Sequence, residues 1–319
     1  MSAAQTILVT GADGFVGRAL CEALRERGDQ VIAAVRTVDG PGRAVVGNLD
    51  GNTDWRAALH GCATVVHLAA RVHVMSDTHA DPLRLYREVN VEATLNLARQ
   101  AHAAGVKRMV FVSSVKVNGE ATDGKPFAAT DVPAPSDPYG ISKMEAEDGL
   151  RAYAAASGLE VVIVRPPLVY GPGVKANFLN LIKMVERGLP LPLGLVDNRR
   201  SMVALDNLVD LLMLCTRHPA APGNIFMVSD GDDLSVAQLI RLIAEAFDKK
   251  AVLLPVPTGL MALVAKMLGK STVANRLLGS LQVDIVPTRV TLEWTPAVTP
   301  RAAVMKTVSH YKLLKARKT

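Results

Sequence analysis

Aromatic residues are scarce: Phe, Trp and Tyr together make up 4% of the 319 residues. The core must therefore be built from Val, Leu, Ile and Ala, which suits strands buried on both faces beneath Ala-rich helices. The scarcity also speaks against a nucleic-acid surface, since no aromatics alternate with the basic residues to stack on bases. Cysteine is nearly absent. Cys21, Cys62 and Cys215 are odd in number, far apart and without metal-ligand spacing, which predicts buried thiols in a reducing compartment and no metal site. Also missing is any clean apolar run of the roughly 20 residues that a membrane span needs. The most apolar stretch, 253–268, is broken by Pro255, Pro257 and Gly259 and carries Lys266. A strand begins at Thr6, leaving no room for a signal peptide, so a cytoplasmic location is expected. The formal charge of +6 is spread along the chain and suits a small anionic ligand. The one local basic cluster, Lys312, Lys315, Arg317 and Lys318, reads as a solvated tail.

What is present is an alternation of strand and helix patterns. Apolar strands are predicted at 6–10, 30–35, 44–49, 63–68, 108–112 and 160–165, with helices at 15–27, 83–104 and 139–157. This order predicts an α/β fold, a doubly wound parallel sheet with right-handed crossovers. After Pro166 the regularity weakens and Pro and Gly accumulate. Helices are expected at 176–187, 205–216, 236–247, 259–268 and 301–314, and a further strand at 224–228. The expected division is a dinucleotide-binding domain over 1–172, with a return to the sheet at 200–230. A smaller, mostly helical substrate lobe then comprises 173–199 and 231–319.

The first strand runs into Thr10-Gly11-Ala12-Asp13-Gly14-Phe15-Val16-Gly17 and then a helix. Gly11 suits a tight turn, Gly14 lets backbone amides approach a pyrophosphate, and Gly17 lets the helix sit close on the sheet. A dinucleotide-binding, Rossmann-type site is thus expected over residues 11 and 13–17. Its other contacts are expected at Asn48 and Leu49, at Leu68, Ala69 and Ala70, and at Pro166. The second strand ends in Arg36 where NAD-binding sites usually carry an acid, and Arg18 stands in the first turn of the helix. Two guanidiniums there suit a 2′-phosphate, so NADP(H) is favoured over NAD(H). The competing reading makes both arginines solvated, with Asp39 reaching back as the acid.

Tyr139-Gly140-Ile141-Ser142-Lys143 opens a helix, with Tyr and Lys on one face. An ammonium near a phenol is expected to pull its pKa down toward neutrality, readying Tyr139 for proton exchange during hydride transfer. Ser113-Ser114, closing the fifth strand, delivers hydroxyls to the same sheet edge.

With these motifs, and with His67-Leu68-Ala69-Ala70, Asn90-Val91, the run from Arg165 to Pro172, the stretch from Arg200 to Asp206, and Leu292-Glu293-Trp294-Thr295-Pro296, the chain resembles the extended short-chain dehydrogenases/reductases. Within them it is similar to the NAD-dependent epimerase/dehydratase group over essentially its whole length. The resemblance implies Tyr139 as acid/base, Ser114 hydrogen-bonding the reacting oxygen, Lys143 holding the nicotinamide ribose, and Asn90 as support. It implies Asn177, Arg200 and Arg276 at the nucleotide diphosphate, with Lys116 also on the substrate side. The family's gatekeeper position falls near Ser280, whose small side chain would admit an N-acetyl group. Arg71 and His73 are expected to face the sugar. Relatives pair two long helices with their symmetry mates, which implies a homodimer through 83–104 and 139–157.

Family dehydratases carry Asp-Glu after the serine; here Val115-Lys116 stands there, so elimination is not expected. Asn118-Gly119 replaces the epimerases' usual Tyr-Gly. Two redox chemistries at C4 of a nucleotide-linked hexose remain, with UDP as the favoured nucleotide. The arginines put an NADPH-dependent 4-keto reductase first and an NAD-dependent UDP-hexose 4-epimerase second. Segments 70–75 and 114–120 resemble a bacterial subgroup tied to surface-polysaccharide sugars that contains both activities. A dinucleotide sensor without chemistry is the third possibility, and retention of Tyr139, Lys143 and Ser114 weighs against it.

Overall fold

The computed structural model describes residues 4–72, 81–269 and 271–317. In chain order the strands are β1 (Thr6–Thr10), β2 (Gln30–Val35), β3 (Arg43–Val45), β4 (Thr64–His67), β5 (Arg108–Val112), β6 (Glu160–Arg165), β7 (Leu168–Tyr170), β8 (Met202–Ala204) and β9 (Ile225–Met227). The helices of the first half are α1 (Phe15–Glu26), α2 (Arg56–Leu59), α3 (Pro82–Arg87), α4 (Ala93–Ala103) and α5 (Pro138–Ser157). They are followed by α6 (Ala176–Glu186), α7 (Leu205–Cys215), α8 (Val236–Ala246), α9 (Thr258–Met267), α10 (Ser271–Leu278), α11 (Val286–Leu292) and α12 (Pro300–Ala316).

Seven strands form one parallel sheet in the order β3-β2-β1-β4-β5-β6-β9. The expected doubly wound α/β fold is therefore found. Strand order reverses between β1 and β4, and the crevice beyond their carboxyl ends is where open α/β sheets bind ligands. Register aligns Thr10 with His67 and His67 with Phe111, so three side chains end abreast at that edge. Leu20, Leu24, Leu208 and Leu212 pack α1 and α7 on one face of the sheet. Trp55, Leu97, Ala146 and Leu150 pack α2, α4 and α5 on the other. Each such fully buried leucine contributes about 1.5–3 kcal/mol. A third core lies among α6, α8 and α12, around Phe178, Ile240 and Val304.

Several elements differ from the sequence expectation. The third strand is only Arg43–Val45, because Gly47 takes a φ of +69° and turns the chain, leaving Asn48 and Leu49 in a loop. The helix expected over 83–104 is interrupted by a π turn at Glu88–Glu92, where Asn90 turns inward. β7 and β8 pair apart from the main sheet, and neither they nor α10 and α11 were expected. The three cysteines are buried and free. Among the described residues no helix is long and apolar enough to cross a membrane.

Candidate active site

The turn after β1 is built around Gly11, whose φ of +66° suits glycine and whose added Cβ would meet the Ala69 amide nitrogen at 2.9 Å. A Cβ at Gly17 would lie 2.2 Å from the Gly11 carbonyl oxygen, and one at Gly14 would lie 2.9 Å from it. Phe15 and Val16 turn into the core beneath. No side chain caps α1 and no acid occupies its first turn, so its positive end is left for an anion. At the end of β5 the Ser113 hydroxyl is buried without a hydrogen-bond partner. A bare backbone cradle, an open helix N-terminus and an unmet hydroxyl fit a dinucleotide diphosphate and its ribose.

Across the crevice, Asp137 caps α5 by accepting from the Gly140 amide at 2.7 Å, with Pro138 in the first turn. That cap fixes the helix bearing Tyr139 and Lys143. The Ser114 hydroxyl is within hydrogen-bonding reach of the Tyr139 phenol and accepts from the Lys116 amide at 3.2 Å. The structure thus brings Ser114, Tyr139 and Lys143 to one sheet edge. Their electrostatics differ from the sequence expectation. Desolvation, helped by the Asp137 charge, pushes Tyr139 up to about 12, although Ser114 opposes the shift. Lys143 does not pull it down. Its Nζ donates to the Val112 carbonyl at 2.8 Å and lies 4.5 Å from the centre of the Phe111 ring. Burial lowers Lys143 itself to about 7, against the pull of Glu147 one turn further along α5.

Two buried networks hold this edge. In the first, the Thr10 hydroxyl accepts from the Leu68 and Ala69 amides and donates to His67 Nδ1 at 2.6 Å. That leaves Nε2–H to donate to Thr94 Oγ1 at 2.9 Å, and the Thr94 hydroxyl donates to the Asn90 carbonyl at 2.8 Å. The Asn90 side chain clasps both backbone polar groups of Arg71 and donates to Ser142, which donates to the Tyr139 carbonyl. A continuous polar chain therefore joins the glycine turn to the Tyr139 helix. Burial, with Lys143 nearby, lowers His67 to about 3, so it stays a neutral relay member. In the second network Arg165 meets Glu147 at 2.9 and 2.5 Å and Asn118 at 3.0 Å, all three buried. Asn118 donates onward to the Ala128 carbonyl at 2.8 Å, so the residue that departs from the epimerase pattern is part of the scaffold.

The remaining predicted residues are spread more widely. Lys116, expected on the substrate side, forms ion pairs with Glu120 at 2.8 Å and with Asp137, and so braces the α5 cap. Asn177 is exposed in the first turn of α6. Arg200 is half-buried, donates to the Gly279 carbonyl at 2.9 Å and bridges to Leu234 and Leu281. Ser280 accepts from the Arg199 amide at 3.0 Å. Arg276 lies on α10, but its side chain is outside the described residues, as is the whole of His73. The Arg71 guanidinium stacks 5.5 Å above Tyr86, whose ring meets Tyr139 edge-on at 6.3 Å. Pro166 is buried, and its carbonyl accepts from Val115. Beside the glycine turn, Arg18 donates to the Asp13 carbonyl at 2.8 Å and Arg43 pairs with Asp13 at 3.3 Å. A concavity of about 300 Å³ there is lined by Asp13, Arg18, Arg25 and Arg43 but not by the exposed Arg36. Sequence reasoning missed Arg43, Tyr86, Ser142 and the Thr10–His67–Thr94 relay. The one available signal was polar residues at the inward ends of apolar strands.

A parallel sheet with a glycine turn at its switch point, and Ser, Tyr and Lys gathered on the adjoining edge, defines an enzyme of the extended short-chain dehydrogenase/reductase type. Residues 7–229 match the model of the NAD dependent epimerase/dehydratase family, and the chain belongs to that family. It is 47% identical over 313 residues to a UDP-glucose 4-epimerase of Vibrio cholerae, covering 96% of this chain and 95% of the relative. It is 30% identical over 280 residues to the N-acetyl-alpha-D-glucosaminyl-diphospho-ditrans,octacis-undecaprenol 4-epimerase of Escherichia coli O157:H7, covering 83% and 81% of the two chains. Among solved structures it resembles MoeE5 in complex with UDP-glucose and NAD, with a TM-score of 0.78, 26% identity and coverage of 97% and 99%.

Proposed function

We propose that the protein is a 4-epimerase of a UDP-linked hexose with NAD as its resident cofactor. The observation that carries this reading over its rival is the 47% identity, spanning nearly both chains, to the Vibrio cholerae UDP-glucose 4-epimerase. It reverses the order expected from the arginines alone. The backbone of residues 11–17 would hold the pyrophosphate, Ser113 and Lys143 the nicotinamide ribose, and Arg200 the sugar nucleotide's diphosphate. When bound, the oxidised nicotinamide supplies a hydride acceptor and a positive charge beside the phenol. Under that positive charge Tyr139 would give up its own proton to solvent, and as the phenolate it would take the proton of the C4 hydroxyl and return it to the same oxygen once the sugar has presented its other face. Ser114 holds that oxygen throughout, and the α5 cap fixes the distance between them. No net redox change results, so one cofactor serves many turnovers. We further propose a homodimer through the outer faces of α4 and α5.

One observation favours a second reading. The basic corner formed by Arg18, Arg25 and Arg43 suits a 2′-phosphate, and hence an NADPH-dependent 4-keto reductase. Unfolding the purified protein and identifying the released dinucleotide separates the two. The epimerase releases NAD and interconverts UDP-glucose and UDP-galactose without added cofactor. An empty protein that turns over only a 4-keto sugar nucleotide with NADPH rejects it. Competition between UDP-glucose and UDP-N-acetylglucosamine then reports whether Ser280 admits an N-acetyl group.

A further inference from the structure

Helix α9 is apolar on nearly every side: its only charged side chain is Lys266, yet none of its residues is buried. Leu260, Leu263, Val264 and Met267 recur at helical spacing and form one stripe, 52, 56, 47 and 79% exposed. Leu268, just past the helix end, is also exposed, while Met261, at the flank of the stripe, packs toward the core of α6, α8 and α12. A helix this apolar is ordinarily interior or in contact with lipid, and a contiguous exposed patch of this kind marks an interaction site.

The charges along this stretch of the sequence indicate the partner. From 249 to 283 the sequence contains Lys249, Lys250, Lys266, Lys270 and Arg276 and no Asp or Glu, although the chain has 30 acids. A second copy meeting this face by two-fold symmetry would bring like charges together and is disfavoured. An anionic surface with an apolar layer beneath it satisfies both features. We propose that α9 and its basic surroundings dock the protein on the anionic surface of a phospholipid bilayer, the helix lying flat with Leu263, Val264 and Met267 in the acyl boundary.

Sedimentation of the full-length protein with vesicles tests it, using phosphatidylcholine alone or mixed with phosphatidylglycerol, at low and high salt. The wild type is expected to co-sediment with the mixed vesicles at low salt, with binding about tenfold weaker on neutral vesicles or in high salt. The double variant Leu263→Glu/Met267→Glu changes two exposed positions, so circular dichroism, thermal unfolding and turnover of a soluble sugar nucleotide should match the wild type. Its binding to mixed vesicles should fall at least about tenfold. Absence of wild-type binding, or equal binding by the variant, overturns the proposal. So does a wild type that ignores vesicles but sediments as a larger oligomer than the variant, which would make the stripe a self-contact.

Discussion

At Tyr139 the proton is held more tightly than in a free phenol, and the neighbouring lysine gives it up more readily than a free amine. Tyr139→Phe keeps the ring and its edge contact with Tyr86. Turnover should fall by about 10²–10⁴-fold while dinucleotide affinity stays within a few-fold, measured by steady-state kinetics and fluorescence titration. Lys143 makes a separate prediction about stability. Its folded pKa, about 7, lies below the ordinary 10.5, so between those values the unfolded chain binds more protons than the folded one. Stability therefore rises with pH across that window, and the penalty of the buried ammonium is complete below about 7. In Lys143→Met this rising component should vanish from a plot of Tm against pH, and activity should be lost. Parallel profiles for the two proteins contradict a neutralising Lys143. His67 works at the acid end. Its folded value near 3 lies below the ordinary 6.5, so the stability it confers fades as pH drops through that interval. Tyr139, Lys143 and Ser114 were legible because their chemistry is tied to fixed spacing. The Thr10–His67–Thr94–Asn90–Ser142 chain was not, since all its links but the four-residue step from Thr94 to Asn90 join residues far apart in sequence.

Helix α5 places Tyr139, Lys143 and Glu147 at four-residue steps, so one stripe runs from the phenol to a buried ion pair. Removing one partner by Arg165→Met should cost about 3–5 kcal/mol, because Glu147 is left buried and unpaired. The double variant Glu147→Met/Arg165→Met should recover most of that loss, as read from urea midpoints. At the opposite wall, Gly17→Ala places a methyl against the Gly11 carbonyl, which is backbone and has little room to yield. Dinucleotide affinity should drop by at least about tenfold, roughly the effect of displacing one strong phosphate contact. A variant that binds normally would mean that the helix start can shift without harm. Long periodic elements such as α1, α5 and α8 were legible in the sequence, because a buried stripe must repeat with the helix. The π turn at Glu88–Glu92 was not. It comes from Asn90 reaching for Arg71 and Ser142, a tertiary demand that local pattern does not encode. β7 and β8, three residues each, are too short to show a period.

For the molecule as a whole, the parallel order of the sheet could be read from the alternation of strands and helices. The small β7–β8 sheet and the α10–α11 segment could not, since their contacts bridge distant parts of the chain: Phe127 with Val283, and Arg200 with both Leu234 and Leu281. β6 obtains its outer neighbour only from β9, through the pairing of Ile163 with Ile225. A fragment ending at residue 172 should therefore be poorly soluble, and addition of the remaining chain as far as residue 230 should restore solubility, as assayed by light scattering. On the ribosome the same topology sets a delay. About 60 further residues must be made after β6 before its partner exists, or about 3–12 s at ordinary elongation rates. During that interval a naked apolar edge is presented to every neighbouring nascent chain, and trigger-type chaperones have most to gain by binding there.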